Sequence, residues 1–378
     1  MINFNNLKMK DITGPIAYIH TSRLKNNISE IKNHVGDKKV MVVVKANGYG
    51  HGAINIASNL SKKPYVIFCV FSISEAIQLR ENGIKNDILI FSKLQIDCIQ
   101  KAIDNNLWIN ASEMNDLVLL ADFYKKNKIC PKIHLEFDTG MTRSGFNMHE
   151  DKIIFDYIMK NPFLPIEGIY SHFSTADEGD LSYAYHQLQE FNRIIKKAKK
   201  SLLNFKYIHC SNSGSILNLP NSYFNTIRIG MLTYGVAPSN EVAMHINVKP
   251  VMSFCGPIVS VRKVEANTSV SYGGIYKTKK STHIAVVQTG FADGIPRGWY
   301  KEGYISYKGK HYKIAGRICM DQFMVDFGKT VPTVGDEVLI FGKKGVDQIP
   351  IERIADKIDT TSYSLLTAIS GRTEYVVV

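Results

Sequence analysis

Between Val40 and Ile229 the chain alternates short apolar runs with segments of helical periodicity, and this alternation constrains the fold more than any other feature. Strands are expected at Val40–Lys45, Tyr65–Val70, Asp87–Phe91, Leu107–Asn110, Lys132–Asp138, Ile166–His172, Tyr207–Cys210 and Thr226–Ile229. Helical spacing of apolar residues marks 22–34, 53–60, 72–82, 96–105, 113–126, 150–159 and 181–202, with a short helical segment near Ser215. Such alternation favours parallel strands joined by right-handed crossovers. About eight strands in roughly 200 residues predict a closed (β/α)8 barrel rather than an open sheet, with chemistry on the loops after the strands' carboxyl ends.

After Lys249 the texture changes. Long helical patterns nearly vanish, and strands are expected at Ile258–Val264, Ser269–Ile275, Ile284–Gln288, Ile305–Ser306, Tyr312–Ile314, Phe323–Val325, Glu337–Ile340 and Tyr375–Val378. One late helix, Ile351–Ile358, precedes Thr360–Tyr363. The fold class is therefore α/β, with a barrel over 15–246 and a β-rich domain over 247–378; residues 1–14 are a candidate to pack on the latter.

Composition narrows the partners. The net charge of +12 comes from lysines spread along the chain in pairs such as Lys62-Lys63 and Lys196-Lys197. No basic run is interleaved with aromatics, so a solvated surface is expected rather than a nucleic-acid site. The six cysteines are scattered without a C-x-x-C pair, which favours reduced thiols in a cytoplasm over disulfides or zinc. No apolar run is long enough to cross a bilayer, and the N-terminus lacks the apolar segment of a secretory signal. No metal motif is present, so a cytoplasmic protein without metal, membrane or nucleic acid is expected.

The residues just past the strands are chemical ones: Lys45, Asp138-Thr139-Gly140, His172, Asn212-Ser213 and Arg228 to Gly230. Lys45 closes three valines and opens a glycine-rich turn in VVVKANGYGHG, Val42 to Gly52. A lysine there can simply snorkel to solvent. Burial would instead disfavour its charged form and suit it to Schiff-base chemistry.

VVVKANGYGHG resembles the pyridoxal-phosphate lysine motif of alanine racemases. HLEFDTGMTRSGF at His134–Phe146, YSHFSTADE at Tyr170–Glu178, HCSNSGS at His209–Ser215 and IRIGMLTYGVAPS at Ile227–Ser239 resemble further segments of that family, in the family's order. SYGGIY at Ser271–Tyr276, GFADGIPR at Gly290–Arg297 and GRICMDQ at Gly316–Gln322 continue the likeness to the second domain. The resemblance covers about residue 15 to the C-terminus and implies the same two-domain fold.

It also implies a set of roles. Lys45 would hold pyridoxal 5'-phosphate as an aldimine and serve as the base on one face of the substrate; the partner subunit's Tyr272 would serve on the other. Active sites would thus be composites of two chains in a homodimer, taking a small amino acid as substrate. A phenol ionises near 10, and His172 with Arg228 would assist it. Arg228 would also face the pyridine nitrogen and, being permanently protonated, leave that nitrogen bare and the ring a weaker electron sink. Tyr49, Asn212, Ser213, Gly230, Met231 and Tyr363 match cofactor and phosphate positions. Small donors and glycine-adjacent N–H groups suit a phosphate. Arg143 and Met320, through its backbone N–H, match substrate positions. Glu136, Asp321 and Arg297 match supporting ones.

The chain departs from the family in three places. Glu136 stands where many members carry a carbamylated lysine, and its carboxylate would orient Arg143 directly or through water. Phe291 replaces a gate tyrosine. Arg372-Thr373-Glu374-Tyr375 replaces a terminal R-V-P-R. The implied reaction is interconversion of L- and D-alanine, in bacteria a supply for peptidoglycan. Serine or a broader set of amino acids is the alternative that Phe291 leaves open. A decarboxylase of the same architecture is disfavoured by Arg228 and Tyr272, and a cofactor carrier without catalysis by the whole β domain.

Overall fold

The computed structural model describes residues 14–378. The chain divides into two compact units, residues 25–248 and a second made of 249–378 with the segment up to Leu24.

In the first unit, Thr226–Ile229, Lys39–Val43, Val66–Val70 and Ile88–Ile90 lie side by side in parallel. Ile109–Ala111, Ile133–Asp138, Ile166–Tyr170 and Tyr207–His209 form a second parallel ladder. A parallel bridge between Leu89 and Trp108 joins the ladders at one seam. At the other, the Arg228 N–H donates to Ser211 O at 3.2 Å. The result is the expected parallel α/β barrel. Its strands read as unbroken apolar runs because both faces are covered: Val66 to Val70 are buried without exception. Ile28, Ile31, Leu117, Leu120, Phe191 and Ile194 sit on helices and are buried.

The barrel departs from the usual filling of branched apolar side chains along the second ladder. There the register pairs Asn110 with His134, His134 with Gly168, Glu136 with Tyr170 and Tyr170 with His209. By the two-residue alternation of a strand, these residues share one face. Polar and aromatic groups are thus stacked where leucines and valines are ordinary.

The second unit is built on a nine-stranded sheet. Its spine is Met252–Val264, longer than the Ile258–Val264 strand expected. Ile16–Ile19 pairs antiparallel with that spine and parallel with Glu374–Val377. This strand places residues before 25 with the β-rich part, where the sequence reading began the barrel at 15. Four residues are too few to show a period. The expectation for the N-terminal segment otherwise falls on residues 1–13, which lie outside those described. The expected Ser269–Ile275 strand is instead a hairpin. Ser269–Val270 pairs with Tyr276–Lys277 around a turn in which Ser271, Gly273 and Gly274 all have positive φ. A late helix, Ser362–Ala368, was not anticipated; Thr361 caps it, its Oγ1 accepting from the Ser364 N–H at 3.2 Å. Among the described residues no helix is long and apolar enough to cross a membrane.

Candidate active site

The strand that carries Lys45 ends at Val43, and the chain then winds the wrong way. Ala46, Asn47, Gly48 and Tyr49 have φ of 51°, 54°, 64° and 51°. Left-handed backbone costs a residue with a Cβ about 1–2 kcal/mol, so the turn needs outside support. Gly48 N–H donates to Val44 O (2.8 Å), Gly50 N–H to Ala46 O (3.0 Å) and Gly52 N–H to Asn47 O (2.8 Å). Asn47 Oδ1 accepts from the Ala53 N–H (3.0 Å), and Glu75 Oε1 from the Ala46 N–H (2.8 Å). The His51 Nδ1–H donates to Tyr49 O at 2.9 Å. The glycine-rich sequence excluded strand and ordinary helix here; the structure resolves it as a one-turn left-handed coil.

Lys45 opens that coil, part-buried. Burial lowers its pKa, and the charges of Arg143 and Arg228 push the same way. Arg228, on the neighbouring strand, is buried and held from several sides. Its Nη2 donates to Ser171 O (3.0 Å) and to His172 Nδ1 (2.8 Å), and its Nη1 to His209 Nδ1 (2.7 Å). The guanidinium also lies over the Tyr170 and Phe91 rings at 5.3 and 5.8 Å. Burial, with Arg228 next, holds His172 and His209 well below the usual imidazole range, so both are neutral.

Ser213 is buried and begins a short helix capped by Asn212, whose Oδ1 accepts from Ser215 N–H at 2.9 Å. Ser213 Oγ accepts from the Gly230 N–H (3.1 Å) and the Leu232 N–H (3.3 Å). Its own hydrogen is thereby left to a third partner. A Cβ on Gly230 would stand 2.8 Å from Tyr49 Oη, so only glycine lets that phenol approach this backbone. Tyr49 is buried, and burial pushes its phenol up to about 12; it is a hydrogen-bonding phenol, not a base. Met231 follows, fully buried.

Glu136 is buried, and its Oε2 accepts from Asn110 Nδ2 at 3.0 Å. Glu136 and the exposed Arg143 line one small cavity with Asp138, Met141, Ser171 and His172. The barrel unit therefore gathers Lys45, Tyr49, Glu136, Arg143, His172, Asn212, Ser213, Arg228, Gly230 and Met231 on the segments at and just after its strands' carboxyl ends. An amine of lowered pKa beside compact N–H and O–H donors fits a carbonyl compound that carries a phosphate.

The second unit arranges its residues on a surface. Tyr272 stands in the hairpin turn, 66% exposed, and Met320 is 56% exposed. Both line a groove of about 740 Å³ with Ser271, Gly273, Cys319, Asp321 and Gln322. Ser271 Oγ–H donates to Arg317 O (2.7 Å) and ties the hairpin to the segment bearing Met320. Phe291 N–H donates to Cys319 O (3.1 Å), and Ala292 N–H to Met320 O (3.0 Å). Asp321 pairs with Arg372 at 2.8 Å, and Arg372 also donates to the buried Asp293 (3.1 and 3.2 Å). Arg297 is exposed at the start of a 3-10 turn, and Tyr363 is part-buried in the late helix; neither lines the groove.

Sequence reasoning gave no role to His209, Glu75, Asn110 or Arg372. His209 lay inside a quoted motif, and its position on the strand beside Arg228 was the available signal. Arg372 lay in the quoted terminal segment; Glu75 and Asn110 are partners across long sequence gaps, which no local pattern reveals.

The profile described as alanine racemase, N-terminal domain matches residues 19–238, and that described as alanine racemase, C-terminal domain matches 251–377. The chain is 35% identical to an alanine racemase of Desulforamulus reducens over 360 residues, 94% of this chain and 96% of that one. It superposes on the solved alanine racemase of Clostridium difficile with a TM-score of 0.90 at 32% identity, covering 98% of this chain and 97% of the other. It superposes on that of Bacillus anthracis, solved with bound L-Ala-P, with a TM-score of 0.86 at 29% identity, covering 96% and 95%.

Proposed function

The chain belongs to the alanine racemase family, and on that premise we propose that it interconverts L- and D-alanine with pyridoxal phosphate in a cytoplasmic homodimer. The observation that carries the reading is Lys45: an amine whose ammonium form is disfavoured, set beside an arginine pinned by two neutral histidines. Pyridoxal phosphate, the cofactor of the family, supplies the aldehyde and the electron-withdrawing ring that acidify the substrate's Cα–H.

The chain's own residues do the rest. Lys45 Nζ removes the Cα proton from one face, or returns it, and the partner subunit's Tyr272 does so on the opposite face. One Cα–H bond breaks and one forms, so composition is unchanged and only configuration alters. Arg228, always a donor, presents N–H rather than an acceptor to a ring nitrogen and disfavours its protonation. Ser213, the N–H groups around Gly230, and Tyr49 bind the phosphate, and Tyr363 is a further cofactor ligand. Arg143 and the Met320 N–H meet the substrate carboxylate. Glu136 orients Arg143, Asp321 holds the Met320 segment through Arg372, and Arg297 is a further supporting residue. The exposed phenol of Tyr272 supports a site completed by a second chain.

A panel of L-amino acids in deuterated water tests the reading. Loss of optical rotation with Cα deuterium uptake is expected for alanine above all others. Comparable turnover of serine would shift the assignment toward the broader racemase that Phe291, lacking a gate hydroxyl, permits. Release of carbon dioxide instead would contradict it.

A further inference from the structure

Arg228 is held by a histidine that is itself held by another. His209 Nε2 lies 3.0 Å from His134 Nδ1, both rings fully buried. The protons on this chain follow from one fact: a guanidinium only donates. Because Arg228 Nη1 points at His209 Nδ1 at 2.7 Å, that nitrogen is bare. Neutral His209 carries its hydrogen on Nε2 and gives it to His134 Nδ1. His134 in turn carries its hydrogen on Nε2, which, like the Nε1–H of Trp108 stacked against it at 5.0 Å, meets no acceptor among the described residues.

The fold makes room for this histidine at some cost. Gly168 sits inside a barrel strand, where glycine is unfavourable, and a Cβ there would come within 2.4 Å of the His134 ring. A buried donor without an acceptor is destabilising as well. A strand glycine and an unmatched N–H are poor terms for a residue that merely fills space; leucine or methionine would fill it without either.

We propose that His134 is a positioning residue: it locks His209 in the Nε2–H form, and so fixes the guanidinium of Arg228. Without an acceptor at 134, only the contact with Arg228 keeps the hydrogen on Nε2, and the cost of a buried Nε2–H with no acceptor works against it. In the other tautomer it would aim N–H at N–H across 2.7 Å and displace Arg228. The kinetic consequence rests on the racemase reading; the tautomer does not.

The test uses full-length protein labelled with 15N in its histidine rings, with and without pyridoxal phosphate, and the variants His134→Leu and His134→Gln. The ring-nitrogen shifts of wild type should place His209 in the Nε2–H form even without cofactor. His134→Leu should mix the two tautomers of His209, alter the visible absorption of the loaded enzyme and lower kcat roughly tenfold with KM little changed, the scale of one lost buried hydrogen bond. His134→Gln, whose amide oxygen can accept from His209, should restore tautomer, spectrum and rate. Wild-type His209 found as Nδ1–H overturns the proposal, and so does a slow leucine variant with unchanged His209, or one of full rate. Should the leucine variant not fold, the wild-type and glutamine spectra decide. A wild type inactive on alanine but with His209 in the Nε2–H form would instead count against the racemase reading alone.

Discussion

The barrel and the β-rich unit prepare their chemistry in opposite ways. At the barrel's strand ends Lys45, Arg228, His172 and His209 are enclosed together, and burial sets the charge state of the amine and imidazoles. In the second unit Tyr272 rides on a hairpin turn with two thirds of its surface open. One region tunes its groups by removing them from water. The other supplies a rigid mount and leaves the environment of its phenol to whatever docks there. A chain built this way holds half a mechanism in finished form and half as a presented part.

The largest effect that could break this contrast is at the tuned end. Lys45→Ala should abolish both activity and the visible absorbance that pyridoxal phosphate gains on joining the protein, because among the described residues no other lysine has a lowered pKa. Titration with cofactor, followed spectroscopically, checks it, and retained absorbance would locate the amine elsewhere. At the presented end, Tyr272→Phe should slow proton abstraction from one enantiomer by roughly 10²–10⁴-fold while the absorbance persists. Initial rates from each enantiomer, with isotope effects at Cα, read this asymmetry.

Acid should separate the two regions next. The His51 ring, fully buried in the barrel, has its pKa lowered to about 4 from 6.5, chiefly by burial. Its folded pKa lies below its unfolded one, so the unfolded chain takes up the proton first. The stability this contributes is whole above about pH 6.5, declines as pH falls and is gone near 4, a loss of about 3 kcal/mol. His134, lowered to about 3, adds to the barrel's loss in the same direction. In the β-rich unit His20, lowered to about 4, is the one histidine among the described residues with such a shift, and it is only part-buried. Hydrogen exchange between pH 7 and 4.5 should therefore show barrel peptides deprotected before those of the nine-stranded sheet. The smallest effect is expected from Glu136→Gln, which keeps an acceptor for Asn110 and removes only the charge near Arg143. A roughly three- to tenfold fall in kcat/KM is anticipated. No change would mean that the carboxylate does not serve Arg143.

The same contrast governs what the sequence disclosed. The barrel was legible because strands covered on both faces are written as apolar runs, as at Val66 to Val70, and because the helices between them keep their period. Lys45 was legible because a glycine-rich turn after three valines has few conformations open to it; the left-handed winding itself was not, since Ala46, Asn47 and Tyr49 adopt it only under the hydrogen bonds of distant groups such as Glu75. His134 and His209 looked like any strand-borne histidines. Their chain exists through strand register, which sequence does not carry. In the second unit the short Ile16–Ile19 strand and the Ser269–Lys277 hairpin were obscured because short elements average too few residues to show a pattern. Serine at 271 takes a φ of 68° that nothing local announces.

The central claim is that the amine and the phenol serving one substrate come from different chains, and subunit mixing tests it most directly. Lys45→Ala and Tyr272→Phe chains, each nearly inactive alone, are co-expressed with separate tags or unfolded and refolded together. Half the dimers formed should be hybrids, each pairing an intact Lys45 with an intact Tyr272 in one of its two sites, so activity should return to about a quarter of wild type. A mixture whose hybrids are isolated and remain as inactive as the separate variants would place both groups in one chain and contradict the account.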